Sequence, residues 1–497
     1  MPEFDPWSAL PTLVPAAWAL LVLLFAPVFR DDRRWLWASS VLGMLVSLVI
    51  PAFMLTKIAN FGDVRETAGV AGLAMLRTDR LSLWLDVLFA ATGLASVLVI
   101  PPYLEKVKGH RPEVYPLIFL SVAGMTIMAG TENLLMIFLG LEVLSIPLYV
   151  LTGLVREKPQ ATEGALKYFI LGAFSTGFLV YGLALILGST GRFDLPGIAA
   201  ALRQGGDAGA PYGPLMLYTG LALVIVAFTF KVGAVPFQFW VPDVYQGAPT
   251  PITGFMAVGT KAAAFAVLLR LLHSGFGAVT ARWTAALSVL AVLTMIGGNL
   301  LALVQPRLKR MLAYSSVAHA GYLILALLAP LPLGAANLVY YLFTYAFMTL
   351  GAFAVVALFQ DGEGDADHVD NFAGLWQRRP ALALTMAVFL LSLLGIPPLG
   401  GFTGKYVIFM AALDSGHPVL AAVMAIASVI GAAYYLRVIV AMFLRAPEGD
   451  LALGIRVSMP TRLVLAVAVA GTIVLGLFPG LALTPLSLIH KTLAPLP

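Results

Sequence analysis

Runs of roughly twenty apolar residues, the length of a bilayer-crossing helix, follow one another along almost the whole chain, and they limit its fold more than any other feature. A helix satisfies its own backbone hydrogen bonds inside hydrocarbon, where no water can do so. The runs are continuous rather than alternating, which excludes a barrel of dyad-patterned strands. The 497 residues are 60% hydrophobic and 11% charged, against about 25% charged in a soluble domain. The chain reads as an all-α integral membrane protein.

Polar breaks divide the runs into about fourteen spans, near 10–29, 35–57, 79–100, 113–130, 133–155, 162–189, 214–240, 249–273, 282–304, 308–329, 333–359, 381–411, 418–444 and 460–482. The N-terminus lacks the basic region and small-residue cleavage site of a signal peptide, so its first run is expected to stay as a helix. Loops at 30–34, 105–111, 156–158, 306–310, 377–379 and 445–462 hold roughly twice the Lys and Arg of the opposite set. Both termini are therefore predicted on the periplasmic face of a bacterial inner membrane. That asymmetry also accounts for the net charge of +5, and no basic run with interleaved aromatics suggests nucleic acid. The connections are too short for separate domains, so residues 1–497 form one membrane domain. The acidic stretch 361–370 lacks the ligand spacing of a calcium loop and reads as a solvated loop. With no cysteine, the chain offers no thiolates for iron–sulfur clusters or zinc, and electron transfer must sit in other chains.

Charges inside the apolar runs are expensive and mark function by default. Glu142, Lys231, Lys261 and Lys405 stand well inside their spans. His319 also lies within a span, where Ser315 or Ser316 of its own helix could satisfy it. Lys167 and Arg437 are secondary candidates, since each is near enough to a helix end to snorkel.

The spacing carries more information than the number. Glu142, Lys231 and Lys261 are separated by 89 and 30 residues, and His319, Lys405 and Arg437 by 86 and 32. This predicts a duplicated five-helix unit, helices 4–8 (113–276) and 9–13 (282–444), preceded by three helices (1–112) and followed by one (445–497). An odd-numbered repeat enters the membrane from the opposite side, giving inverted repeats. Helices 7 and 12 carry VGAVP (232–236) and GIPPLGG (395–401), so both should be interrupted. Broken helices are tolerated where they line a hydrated cavity, and each break lies within about two turns of a buried lysine.

Desolvation can bring a buried lysine, which normally titrates near 10.4, into the range where it exchanges protons, and a nearby carboxylate opposes that shift. Motion of Glu142 relative to Lys231 would therefore switch proton loading. The expected relay runs from Lys231 through Lys261 and His319 to Lys405, with water bridging the gaps. Ser145, Thr260, Ser315, Ser316, Tyr314 and Tyr322 are candidates to orient that water, although polar side chains also hold membrane helices together.

The segments GLEVLSIPLYVLTG (140–153), KYFILGAFSTGFLVYG (167–182), FKVGAVPFQFWVPDVYQGAPTPITGFM (230–256), KRMLAYSSVAHAGYL (309–323) and GIPPLGGFTGKY (395–406) closely resemble the antiporter-like subunit N family of the proton-pumping NADH:quinone oxidoreductase, respiratory complex I. The resemblance spans nearly the whole chain. It implies fourteen helices with helices 7 and 12 interrupted, and functional positions at Glu142, Lys231, Lys261 and Lys405. His319, and less closely Lys167, match the family's central relay. The resemblance further implies a translocase subunit without its own redox centre or cofactor. NADH, FMN, iron–sulfur clusters and quinone would be handled by partner subunits of the complex, in the lipid bilayer. Mrp-type cation/proton antiporter and membrane-bound hydrogenase subunits are the alternative; Mrp subunits typically read PDAH before APTP, where this chain has PDVYQGAPTP (242–251). A solute transporter would need a midplane pocket, and a structural scaffold would tolerate loss of the lysines.

Overall fold

The computed structural model describes residues 6–26, 33–61, 64–66, 75–107, 111–203, 213–331, 333–361, 364–447 and 451–493. Parts of the loops used above for charge placement, including 30–32, 108–110 and 448–450, lie outside the described residues, as do 362 and 363 of the acidic stretch.

Helices follow the apolar runs closely. The first three are α1 (Pro6–Phe25), α2 (Arg33–Phe61) and α3 (Arg80–Lys106). Next come α4 (Val114–Ala129), α5 (Leu134–Thr152), α6 (Pro159–Thr190), and the broken pair α7 (Gly213–Val232) and α8 (Trp240–Gly247). Helix α9 (Thr250–Leu269) widens into a π-helical end at Arg270–Gly275, and α10 (Thr280–Leu303), α11 (Leu308–Leu327) and α12 (Leu333–Val356) follow. A second broken pair, α13 (Pro380–Leu394) and α14 (Gly400–Asp414), precedes α15 (Pro418–Leu444) and α16 (Met459–Leu477). Among the described residues, eleven helices are long and apolar enough to cross a membrane. The other three expected spans correspond to α4, to the more polar α11, and to the α13–α14 pair. Two short antiparallel pairings, Val64–Glu66 with Arg77–Asp79 and Gln360–Asp361 with Gly364–Asp365, lie in loops that the helical pattern does not reach.

Side chains set several helix starts. The Asp79 carboxylate accepts from Ser82 N at 2.9 Å while Asp79 N donates to Ser82 Oγ at 2.9 Å, a reciprocal cap that opens α3. Asn133 Oδ1 accepts from Leu135 N and Met136 N to open α5.

Both interruptions fall where the Gly/Pro clusters place them. Gly233 (φ 74°) and Gly395 (φ 95°) turn the chain left-handed immediately after α7 and α13, a conformation that glycine adopts without Cβ strain. Each break also contains a cis prolyl bond, Val235–Pro236 and Pro397–Pro398. The carbonyls freed there find donors: Phe230 O accepts from Gly233 N and Trp240 Nε1, both at 3.0 Å, and Leu394 O accepts from Lys405 Nζ at 2.9 Å. Val235 N reaches across to Thr294 Oγ1 on α10 at 3.0 Å.

The same packing scheme occurs twice. Helix α4 packs on α5 as α10 packs on α11, and α5 on α6 as α11 on α12. The broken pairs pack on α6 and on α12, and α9 and α15 complete the two sets against α4 and α10. The sets meet along α9, α11 and α12, so α9, buried throughout, is the core of the molecule. Helix α3 lies against α9 on its other side.

Asp367 departs from the solvated reading of the acidic stretch. Asp367 is buried; its Oδ2 accepts from Lys309 N at 3.3 Å, its Oδ1 pairs with Arg307 at 3.3 Å, and its carbonyl accepts from Leu308 N. It therefore anchors the start of α11, where the helix dipole favours a carboxylate.

Candidate functional site

Four of the five principal candidates point inward. Lys231, Lys261, His319 and Lys405 are 5%, 2%, 1% and 9% exposed, which rules out a lipid-facing arrangement. Lys231 ends α7, Lys261 lies mid-way along α9, His319 projects from α11, and Lys405 stands one turn into α14.

The three lysines share one environment. Each ammonium lies over a tyrosine ring: Lys231 over Tyr168 at 5.1 Å from the centroid, Lys261 over Tyr345 at 5.5 Å and Lys405 over Tyr322 at 4.9 Å. Such faces attract a cation through the ring quadrupole without fixing its charge. Their hydrogen bonds go to neutral acceptors. Lys231 Nζ donates to Ser145 Oγ at 2.7 Å and to Tyr168 OH at 3.3 Å, Lys261 Nζ to Ser316 O and Oγ, and Lys405 Nζ to Leu394 O at 2.9 Å. Among the described residues no carboxylate lies within 4 Å of any of the three. The Lys405 contact also places a cation at the negative end of the α13 dipole.

His319 is held by tyrosines of α12 and α15 rather than by the serines of its own helix. Its Nδ1 meets Tyr341 OH at 2.6 Å and its Nε2 meets Tyr435 OH at 3.3 Å. Ser315 bonds Tyr435, while Ser316 joins Lys261 to Tyr345, whose hydroxyl donates to Ser316 Oγ at 2.8 Å. The imidazole centroid is 5.2 Å from the Tyr345 ring and 5.4 Å from Tyr322, the ring beneath Lys405. Beyond it, Tyr322 OH accepts from Asn299 Nδ2 at 3.3 Å, and Asn299 Oδ1 accepts from Tyr434 OH at 2.9 Å. From Lys261 to Lys405 the interior is thus lined by hydroxyls, each of which can both donate and accept. Between Lys231 and Lys261 no side-chain hydrogen bond spans the gap among the described residues.

Glu142 departs from the expected geometry. It is half-buried, its Oε1 accepts from Thr176 Oγ1 at 2.7 Å, and it makes no ion pair with Lys231. Ser145, one turn along α5, makes the contact to Lys231 instead, so the carboxylate stands one turn away from that contact. Of the expected water-orienting groups, Ser145, Ser315, Ser316 and Tyr322 lie in the network. Thr260 bonds its own helix at Met256 O (2.7 Å), and Tyr314 makes no side-chain hydrogen bond among the described residues.

The secondary candidates have structural partners. Arg437 does not snorkel; it donates to Leu303 O at 2.9 Å and to Gln305 O, capping the C-terminal end of α10. Lys167 pairs with Glu163 and Asp243, each at 2.6 Å, and Asp243 pairs with Arg310 at 2.8 Å, tying α6, α8 and α11 together.

Several buried polar residues escaped the sequence reading. Tyrosines 168, 341, 345, 434 and 435 count as apolar in a hydropathy pattern, so nothing distinguished them from core aromatics. Lys309, counted with the loop charges at 306–310, is buried and donates to Ala248 O at 2.8 Å and Gln246 O at 3.2 Å. Arg270 is fully buried between Asp79 (2.9 Å) and Glu132 (3.4 Å). Asp86 is also buried, and its place within the third apolar run was a signal that the charge-in-membrane rule would have caught.

Comparison with known proteins meets this geometry from another direction. A model of the membrane domain of NADH:quinone oxidoreductases and Mrp antiporters matches residues 131–431. NADH-quinone oxidoreductase subunit N of Salinibacter ruber is 43% identical over 89% of this chain and 88% of its own length. That of Chloroflexus aggregans is 42% identical over 96% of both chains. A chain of respiratory complex I from Thermus thermophilus superposes with a TM-score of 0.79 at 34% identity, over 95% of this chain and 98% of its own. A chain of the Mrp complex from a Dietzia species gives 0.87 at 20% identity, over 98% of each chain, and shares the fold. Shape alone does not separate the branches, whereas sequence identity favours the first. The chain belongs to the NADH:quinone oxidoreductase/Mrp antiporter membrane family.

Proposed function

We propose that Glu142, Lys231, Lys261, His319 and Lys405 carry protons through this multi-pass chain, which serves as the antiporter-like subunit N of an NADH-quinone oxidoreductase. NADH oxidation and quinone reduction belong to other subunits of the complex. The observation that carries the reading is the absence of counter-ions. Buried charges that serve structure are paired, as Arg270 is here. Lys231, Lys261 and Lys405 instead have neutral partners only, so each can change its proton count without breaking an ion pair.

Glu142 belongs to the control of this row. It lies on a stripe of α5 with Leu135, Leu139, Ile146 and Val150, all exposed on the isolated chain. A carboxylate cannot face lipid at this depth, so a neighbouring subunit covers the stripe and can act on Glu142. Through Ser145 that influence reaches Lys231. In a bacterial inner membrane, the excess of loop Lys and Arg on one side supports a periplasmic position for both termini.

Substituting Lys405 tests the far end of the row. Lys405→Ala in the assembled complex should cut proton pumping into proteoliposomes about tenfold or more, while subunit content on native gels stays unchanged. Normal pumping by the assembled variant would remove Lys405 from the path.

A further inference from the structure

Helices α3 and α9 run antiparallel, and two ties join them, one near each end of α9. At one end Arg270 Nη2 bonds Asp79 Oδ1 at 2.9 Å; at the other Ser96 Oγ contacts Pro251 O at 3.4 Å. The ties lie seventeen residues apart along the α3 chain and nineteen apart along the α9 chain. Asp86 is seven residues from Asp79, which sets it level with Ala262 of α9, one residue from Lys261.

At that depth Asp86 is 4% exposed, and its Oδ1 meets no hydrogen-bond donor. No cation lies within ion-pairing distance of it among the described residues. Its charged neighbours are Asp79 and Arg270. These belong to a cluster already complete in charge: Arg270 with Asp79 and Glu132, and Arg77 with Glu132 at 2.6 Å and Asp79 at 3.6 Å. Two guanidinium groups balance two carboxylates, and nothing is left over for Asp86. An uncompensated carboxylate in such a site is costly, and a proton is the partner that neutralises it.

We propose that Asp86 is a further proton-exchanging group of this chain, a carboxyl that passes protons between Lys261 and the membrane face at which Asp79, Glu132 and Arg270 lie. This rests on the reading of Lys261 as a proton carrier. In the transfer step the O–H bond of Asp86 breaks and an N–H bond forms on Lys261 through intervening water, leaving carboxylate and ammonium. Reprotonation of Asp86 from the cluster's face resets it. The Asp79–Arg270 pair sits between Asp86 and that face. The π-helical widening of α9 begins at Arg270 itself, the kind of irregularity that recurs at functional sites.

The test uses the whole complex in proteoliposomes and compares Asp86→Asn, which keeps the shape and removes the exchangeable proton, with Asp86→Glu, which keeps the carboxyl. Asp86→Asn should lower proton pumping about tenfold, and Asp86→Glu should retain most of it. An assembled Asp86→Asn complex that pumps at the wild-type rate overturns the proposal. Infrared difference spectra during turnover give a second readout, independent of whether the asparagine variant assembles. A carboxylic C=O band that shifts in Asp86→Glu supports the proposal, and a band pattern unchanged by Asp86→Glu overturns it. Normal pumping by both Lys231→Ala and Lys405→Ala would sink the relay as a whole, whereas failure of those variants beside normal pumping by Asp86→Asn would sink only this inference.

Discussion

Lys231→Ala is expected to lower proton translocation by the assembled enzyme about tenfold or more, the scale on which loss of a positioned proton-transfer group is felt. Quinone reduction should fall with it, because the two processes are coupled. The side chain ends α7 directly before the break at Gly233, and its ammonium touches Ser145 and Tyr168. Removing it leaves a serine and a tyrosine that water can satisfy, and it strands no buried counter-charge. The loss should therefore appear in pumping rather than in assembly. Lys231→Arg should not rescue, since a guanidinium does not give up its proton in the accessible range. The comparison needs the rate of vesicle acidification, the rate of NADH oxidation and a native gel for each variant. Recovery of pumping by arginine would contradict proton exchange at this position.

Arg270→Ala is expected to act in the opposite way, on stability. The guanidinium is fully buried and is shared by Asp79, Glu132 and the Ala129 carbonyl, which accepts from Nε at 2.9 Å. Deleting one member of a buried ion cluster leaves uncompensated charge and costs about 3–5 kcal/mol. It also loosens the cap of α3, because Asp79 accepts from both Arg270 and Ser82 N. Less assembled complex and a lower thermal-inactivation temperature are the expected results. Arg270→Lys should fall between wild type and alanine, since an ammonium cannot reproduce the fork that spans both carboxylates. Wild-type thermal stability in Arg270→Ala would show that the cluster holds nothing together.

Much of this was legible in the sequence, for reasons specific to membranes. Hydrocarbon demands continuous apolar helices, so the span at 418–444 coincides with α15, and the breaks at Gly233 and Gly395 follow their Gly/Pro clusters. The cost of buried charge singled out Lys231, Lys261 and Lys405, and all three are buried. What stayed hidden depends on partners contributed by distant helices. Arg437 had the right spacing for a relay group, yet the end of α10 supplies carbonyls that turn it into a cap. Glu142 and Lys231 were expected to pair, but Ser145 intervenes. Ser315 and Ser316 offered His319 partners on its own helix, whereas Tyr341 of α12 and Tyr435 of α15 supply both its contacts. A tyrosine hydroxyl leaves no trace in a hydropathy pattern, so the lining between Lys261 and Lys405 became visible only once the helices were assembled.

The row of lysines conducts only if water completes it. The gap between Lys231 and Lys261 has no direct side-chain bridge, while hydroxyls line the interior from Lys261 to Lys405. A map of the assembled, actively turning-over complex at a resolution that locates water molecules addresses this directly. The account predicts ordered waters joining the Lys231 ammonium to that of Lys261, and His319 to Lys405. Apolar side chains packed into the Lys231–Lys261 gap, with no water there in any turnover state, would contradict it.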